Sequence, residues 1–183
     1  ITYLFSQKMV AIKLIVAPLD ENYSNELRKL AVKLKIPVLS DDNELYKLIE
    51  GKNKLVSGVD LVISYLYWRK IKQPLYTLPK SGCINFHPAP LPDYKGRAGY
   101  NTAILDQKKY FGVSAHFIDS EMFDSGPIIK VRKFRIKPNE ETAFSLEKKS
   151  QRRMIKLFKE TISIFQKKKK IKKKKNKGGL YLS

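Results

Sequence analysis

Apolar and polar positions along the chain switch between two periods. Residues 11–16 (AIKLIV) form a short apolar run, read as a buried strand that ends at Pro18-Leu19-Asp20. In residues 24–35, Leu27, Leu30, Ala31 and Leu34 recur at helical spacing behind Ser24, a candidate N-cap. Ile36 to Leu39 is a brief strand that Pro37 confines to an edge, and Asp41 or Asp42 caps a helix running through Leu45, Leu48 and Ile49. Residues 59–65 (VDLVISY) and 84–86 read as strands, 99–105 as a short helix, and 113–118 and 127–136 as two further strands. Residues 142–165 form a long amphipathic helix bearing Phe144, Leu146, Ile155, Phe158, Ile162 and Phe165. Strands alternating with helices predict an α/β fold with a mainly parallel sheet covered by helices, and the last two strands predict an antiparallel edge. Residues 1–10 fit a first strand poorly, because no crossover helix fits before residue 11. The N-terminal strand and helix are therefore expected to be incomplete.

One stretch organises the rest. The strand ending at Phe86 runs into Asn85-Phe86-His87-Pro88-Ala89-Pro90-Leu91-Pro92-Asp93-Tyr94-Lys95-Gly96. Side chains alternate along a strand, so Asn85 and His87 share a face. The three prolines fix φ and keep the following loop extended. An amide and an imidazole are thus held together at a strand end, where open α/β sheets bind ligands.

Composition narrows the possibilities. A chain of 183 residues with 43% hydrophobic content can bury a real core. One cysteine excludes an internal disulfide framework, and with two histidines it leaves too few ligands for a structural zinc site, so a reducing, cytoplasmic setting is the simplest expectation. No apolar run approaches bilayer length, no signal-peptide pattern opens the chain, and no membrane partner is expected. Net charge is +20, but the run KKKKIKKKKNK at 167–177 supplies nine of the positive charges and no acid. A like-charge block of this kind is expected to stay solvated and disordered. It has no interleaved aromatic to stack a base, although salt-sensitive attraction to polyanions follows from its charge.

A second dense patch spans residues 114–127. A strand carrying His116 gives way to a loop with Asp119, Glu121 and Asp124 before Ser125-Gly126-Pro127, where Gly126 permits a turn. Spacing alone leaves these carboxylates open as metal ligands, acid–base groups or a polar loop. Asp124 is evenly balanced between bonding its own turn and catalysis.

The pattern Asn-x-His-Pro-x-x-Leu-Pro-x-Tyr-x-Gly at 85–96, Gly-Val-x-x-His-x-Ile at 112–118 and Asp-x-Gly-x-Ile-Ile at 124–129 resembles the formyltetrahydrofolate-dependent formyltransferases. That superfamily includes glycinamide ribonucleotide, methionyl-tRNA and amino-sugar enzymes and the related deformylases. The resemblance implies a Rossmann-like formyltransferase domain over residues 1–166, with residues 167–183 as the tail. It implies an Asn85–His87–Asp124 triad, with 10-formyltetrahydrofolate as co-substrate held by Leu66, Tyr67, Trp68 and Arg69 and by Ser120, Glu121, Met122 and Phe123. No metal is implied. Pro88, Arg97, Tyr100 and His116 fall on the acceptor side, although a satisfied polar core residue is the better reading of His116 by itself. The segment between His116 and Asp124 is about one residue longer than in glycinamide enzymes.

The residue types suit formyl transfer independently of the resemblance. As an amine attacks a formyl carbon, charge develops on its oxygen, and Asn85 and a protonated His87 are suitable donors. Asp124 can take the amine's proton while holding His87 charged. Gly96-Arg97-Ala98 with Asn101, and residues 136–146, resemble the amino-sugar and methionyl-tRNA branches. The chain stops before a tRNA-binding domain could form, and residues 177–181 resemble the tail that closes several smaller formyltransferases. A nucleotide-linked amino sugar is the expected acceptor, with methionyl-tRNA second. A deformylase, or an inactive fragment binding polyanions through its lysines, stands outside transfer. The oligomeric state is not legible.

Overall fold

The structure, a computed structural model, describes residues 1–19, 22–167 and 171–182. The chain divides into two compact units, Ile1–Val59 and Asp60–Ser183.

In the first unit, residues 1–10 hold no strand. Thr2–Phe5 is a single helical turn, α1, closed by the Phe5 and Ser6 amides on the carbonyls of Ile1 and Thr2. Strand β1, Ile15–Val16, runs parallel to β2, Val38–Leu39, and α2, Asn22–Lys33, makes the crossover. Helix α2 begins two residues before Ser24, which lies in its first turn rather than at the cap. The β1–β2 ladder is short because β2 sits between Pro37, which has no N–H, and the cap of the next helix. That helix, α3, spans Asp42–Glu50, and Asp41 caps it by accepting from the Asn43 amide at 3.0 Å.

The second unit is built on a four-stranded sheet of order β3-β4-β6-β7. These strands are Val62–Tyr65, Cys83–His87, Tyr110–Ile118 and Ile128–Arg135. Strands β3 and β4 are parallel, whereas β4–β6 and β6–β7 are antiparallel. A further strand, β5 (Tyr94–Gly96), pairs in parallel with β8 (Leu180–Leu182). Of the five strand pairings among the described residues, three are parallel, and the expected antiparallel edge is β6–β7.

Helix α4, Gly99–Leu105, and the long α5, Ala143–Gln166, pack with this sheet. Thr142 starts α5 through a reciprocal cap, its hydroxyl accepting from the Ser145 amide at 3.1 Å while its own amide donates to the Ser145 hydroxyl at 3.0 Å. The buried stripe of α5 is Leu146, Ser150, Met154, Leu157, Thr161 and Ile162. Phe144 and Ile155, expected to face inward, fall off that i, i+4, i+3 row and are 64% and 52% exposed. Thr161 is tolerated inside because its hydroxyl donates to the Leu157 carbonyl at 2.8 Å.

Against this helix lie Ile84 and Phe86, both fully buried. The Phe86 ring packs on Tyr65 and Phe158 at centroid distances of 5.7 and 5.0 Å. Alternation then sends Asn85 and His87 to the opposite face of β4.

The lysine-rich tail departs from the sequence expectation of a solvated segment. Lys168, Lys169 and Lys170 lie outside the described residues, but 171–182 pair with the second unit through an Ile128–Lys174 bridge and through β8. Tail lysines remain exposed while the backbone finds partners, so the charge run says little about the main chain. No helix among the described residues is long and apolar enough to cross a membrane.

Candidate active site

The β4–β6 register places Asn85 directly opposite His116, and their side chains meet on one face. Beyond β6 the chain loops back so that Asp124 reaches the same point. Asp124 adopts a left-handed backbone, φ +51°, uncommon for a residue with a side chain. Gly126, expected to allow the turn by its conformational freedom, matters instead for close approach. A Cβ there would lie 1.9 Å from the Phe117 carbonyl oxygen.

Four polar side chains converge. Asp124 Oδ1 lies 3.3 Å from His87 Nδ1 and 3.3 Å from His116 Nε2. Asn85 Nδ2 is 3.2 Å from His116 Nε2 and donates to Asp124 Oδ1 at 3.4 Å. The Gly96 amide donates to Asp124 Oδ2 at 2.9 Å. His87, His116 and Asp124 are 4%, 2% and 7% exposed, so the cluster is largely out of bulk water.

Backbone carbonyls fix both imidazoles. His87 Nε2 is 2.7 Å from the Tyr94 carbonyl, and His116 Nδ1 is 2.8 Å from the Phe117 carbonyl. A carbonyl can only accept, so each of these nitrogens carries a proton. His116 Nε2 is then free to accept from the Asn85 amide. Ser114, two residues along β6, accepts from the Leu91 amide at 2.8 Å and donates to the Ala89 carbonyl at 2.7 Å, which pins the proline loop to the sheet.

Electrostatics revise the sequence expectation of a protonated His87. Burial pushes its imidazole below the ordinary value, and the Asp124 carboxylate and Tyr94 carbonyl oppose this without overcoming it. Its resting form near neutrality is therefore uncharged. Burial pushes Asp124 upward, but the His116 and His87 imidazoles beside it and the Gly96 amide together outweigh it and hold the carboxyl below its ordinary range. Asp124 is ionised.

A cleft opens over this cluster. Asn85, His116 and Asp124 reach it, with Ser64, Tyr67, Arg69, Ser120, Glu121, Met122 and Phe123 around them. Six of the eight residues expected to hold the co-substrate thus line one cleft. Leu66 and Trp68 do not line it and are each 44% exposed. Leu66 makes the bend after β3 at φ +56°, and the Trp68 carbonyl accepts from Arg97 Nη2 at 3.0 Å. On the acceptor side, Pro88 is half-buried and Arg97 exposed. Tyr100 is partly buried and packs against the core, its ring 5.7 Å from Phe111 and its hydroxyl pushed up to about 12 by burial. Sequence reasoning missed Ser64, the β3 neighbour of Asn85, and the backbone groups of Tyr94 and Gly96, because main-chain contacts leave no residue-type signature. It also missed Asn176, whose side chain donates to the Asp124 and Gly126 carbonyls. The sole asparagine in a lysine run was the available clue.

The family model described as Formyl transferase matches residues 33–162, well over half of the chain. The chain belongs to the formyl transferase family. Methionyl-tRNA formyltransferase of Clostridium tetani is 33% identical over 127 residues, which are 69% of this chain and 38% of that protein. Its Listeria monocytogenes counterpart is 31% identical over 68% of this chain and 39% of its own length. The chain therefore spans under two fifths of these curated relatives. Among solved structures, the formyltransferase PseJ of Anoxybacillus kamchatkensis, in complex with UDP-4,6-dideoxy-4-formamido-L-AltNAc and tetrahydrofolate, is 26% identical. It aligns with a TM-score of 0.66 over 92% of this chain and 84% of its own. Phosphoribosylglycinamide formyltransferase of Bacillus halodurans shares the fold at 23% identity, with a TM-score of 0.68 over 82% of this chain and 78% of its own.

Proposed function

We propose that this protein is an N-formyltransferase that moves a formyl group from 10-formyltetrahydrofolate to a primary amine, with Asn85, His87 and Asp124 as catalytic residues. The observation that carries the reading is an ionised, nearly buried carboxylate bonded to an asparagine and flanked by two histidines at the foot of one cleft. The wall of Met122 and Phe123 beside Ser120 and Glu121 suits a flat heteroaromatic ring with a polar edge.

In the reaction the amine nitrogen bonds to the formyl carbon, the bond from that carbon to folate N10 breaks, and the amine's proton ends on N10. Asp124 takes that proton, directly or through water, and passes it to the leaving nitrogen. Asn85 uses its N–H groups on His116 and Asp124, and the longer bond, 3.4 Å to Asp124, is the one that turns toward the formyl oxygen as charge develops there. His87, uncharged at rest, is poised to share a proton arriving on the pair and so limit charge build-up on Asp124.

The acceptor we favour is a nucleotide-linked amino sugar. The fit of nearly the whole chain to a structure bound to such a sugar and tetrahydrofolate supports it. Methionyl-tRNA is the second reading, supported by the identity to the curated relatives and the +20 charge. The test follows conversion of 10-formyltetrahydrofolate to tetrahydrofolate by absorbance with dTDP- and UDP-amino sugars, glycinamide ribonucleotide and methionyl-tRNA, beside Asn85→Ala. Turnover that needs one amine and is lost in the variant supports transfer and names the acceptor. Amine-independent turnover means hydrolysis, and silence from folded protein overturns the reading in favour of a polyanion-binding role.

A further inference from the structure

We propose that residues 171–182 form a strap that sets the position of Asp124, with Asn176 as its central positioning residue. This rests on the reading of Asp124 as the group that handles the amine's proton.

The strap touches the site from both sides. Toward the Asp124 loop, Asn176 Nδ2 donates to the carbonyls of Asp124 at 2.7 Å and Gly126 at 2.9 Å. Just before it, Lys174 and Ile128 exchange both backbone bonds, at 2.8 and 2.9 Å, which ties the strap to the start of β7. Toward the proline loop, β8 runs along β5, with Leu180 donating to the Asp93 carbonyl and Arg97 to the Leu182 carbonyl. Strand β5 supplies the Gly96 amide that holds Asp124 Oδ2 and the Tyr94 carbonyl that holds His87. One segment therefore fixes both the backbone from which Asp124 projects and the strand that receives its carboxylate.

The residue types fit this task. Asp124 occupies a left-handed conformation that persists only when its surroundings enforce it. A primary amide carries two N–H donors and so spans two carbonyls, which neither a lysine's flexible ammonium nor a hydroxyl does in the same plane. Turning the amide over would set its oxygen against both carbonyls, so its orientation is fixed. Asn176 stands among lysines whose side chains remain exposed. Gly179 marks where the strap crosses the proline loop, since a Cβ there would lie 1.6 Å from the Pro92 carbonyl oxygen.

The test uses the full chain. Asn176→Leu removes both donors at similar size and adds no charge, and Gly179→Ala displaces the strap while keeping Asn176. Circular dichroism and urea midpoints check folding, kcat and KM are measured separately, and ring NMR follows the two histidines through pH. Displacing Asp124 is expected to lower kcat about 10- to 100-fold, as small misplacements do, with KM for formylfolate near the parent value and a displaced His87 titration. Should Asn176→Leu fail to fold, Gly179→Ala carries the same expectation. A variant that lowers the urea midpoint but leaves kcat and the His87 titration unchanged overturns the strap. If the parent protein transfers no formyl group, the functional reading fails, and an unmoved His87 titration then overturns the strap independently.

Discussion

Asp124→Asn is the perturbation with the most legible consequences. It keeps the shape and the bond from the Gly96 amide but removes the negative charge 3.3 Å from both His87 and His116. A general base contributes about 10²–10⁴ in rate, so kcat is expected to fall by that factor, equivalent to about 3–5 kcal/mol of activation free energy. KM for formylfolate is expected to stay within about threefold, because the cleft wall of Met122 and Phe123, proposed to hold the ring, is untouched and only the reacting end changes. A second consequence concerns His87. At 3.3 Å and an effective dielectric of about 20, a charge pair is worth about 5 kcal/mol. Losing that attraction lowers the imidazole's pKa further, because burial is then less opposed. Stopped-flow absorbance reads the rate and ring NMR the direction of the His87 shift. A kcat within about threefold of the parent, or a His87 titration that rises, would refute the assignment of Asp124 as an ionised base facing His87.

Other consequences concern stability. Phe86→Ala removes a fully buried ring packed on Tyr65 and Phe158 and is expected to cost about 3–5 kcal/mol, read from urea unfolding. Acid should destabilise the protein in two windows. His87 is depressed in the folded state, so its contribution is full above the ordinary value of 6.5 and is lost as pH falls toward the folded value, while the unfolded chain takes the proton. Asp124 is also depressed, and its contribution is present above 3.8 and lost below. Urea midpoints between pH 7.5 and 5.5 should therefore decline for the parent and flatten in His87→Asn; equal slopes would sink the argument.

Much of the fold was legible because period and punctuation agreed. Asp41 caps α3, Thr142 opens α5, and 99–105 is the helix the pattern described. Where periodicity was thin, tertiary contacts decided: residues 1–10 became one helical turn, and β1 kept only the two residues that β2 could pair. In α5, aromatic and branched residues drew the eye to Phe144 and Ile155, while the true stripe includes Ser150 and Thr161, polar residues that an apolar period passes over. The site was legible as residue types at strand ends, and alternation along β4 put Asn85 and His87 on one face. The sequence did not reveal the protonation of His87, which depends on burial, or the packing of Tyr100 against the core. Asn176 was hidden by composition. A lysine run looks solvated, and its described lysine side chains are exposed, yet Lys174 bridges to Ile128 and the residues after the run pair with β5.

The most direct measurement incubates the protein with 10-[¹³C]formyltetrahydrofolate and a nucleotide-linked amino sugar and follows the label by ¹³C NMR. The account expects the signal to move to a formamide carbon on the sugar, at a rate that Asp124→Asn suppresses. Label appearing as free formate, or remaining on the folate while the protein is folded, would contradict it.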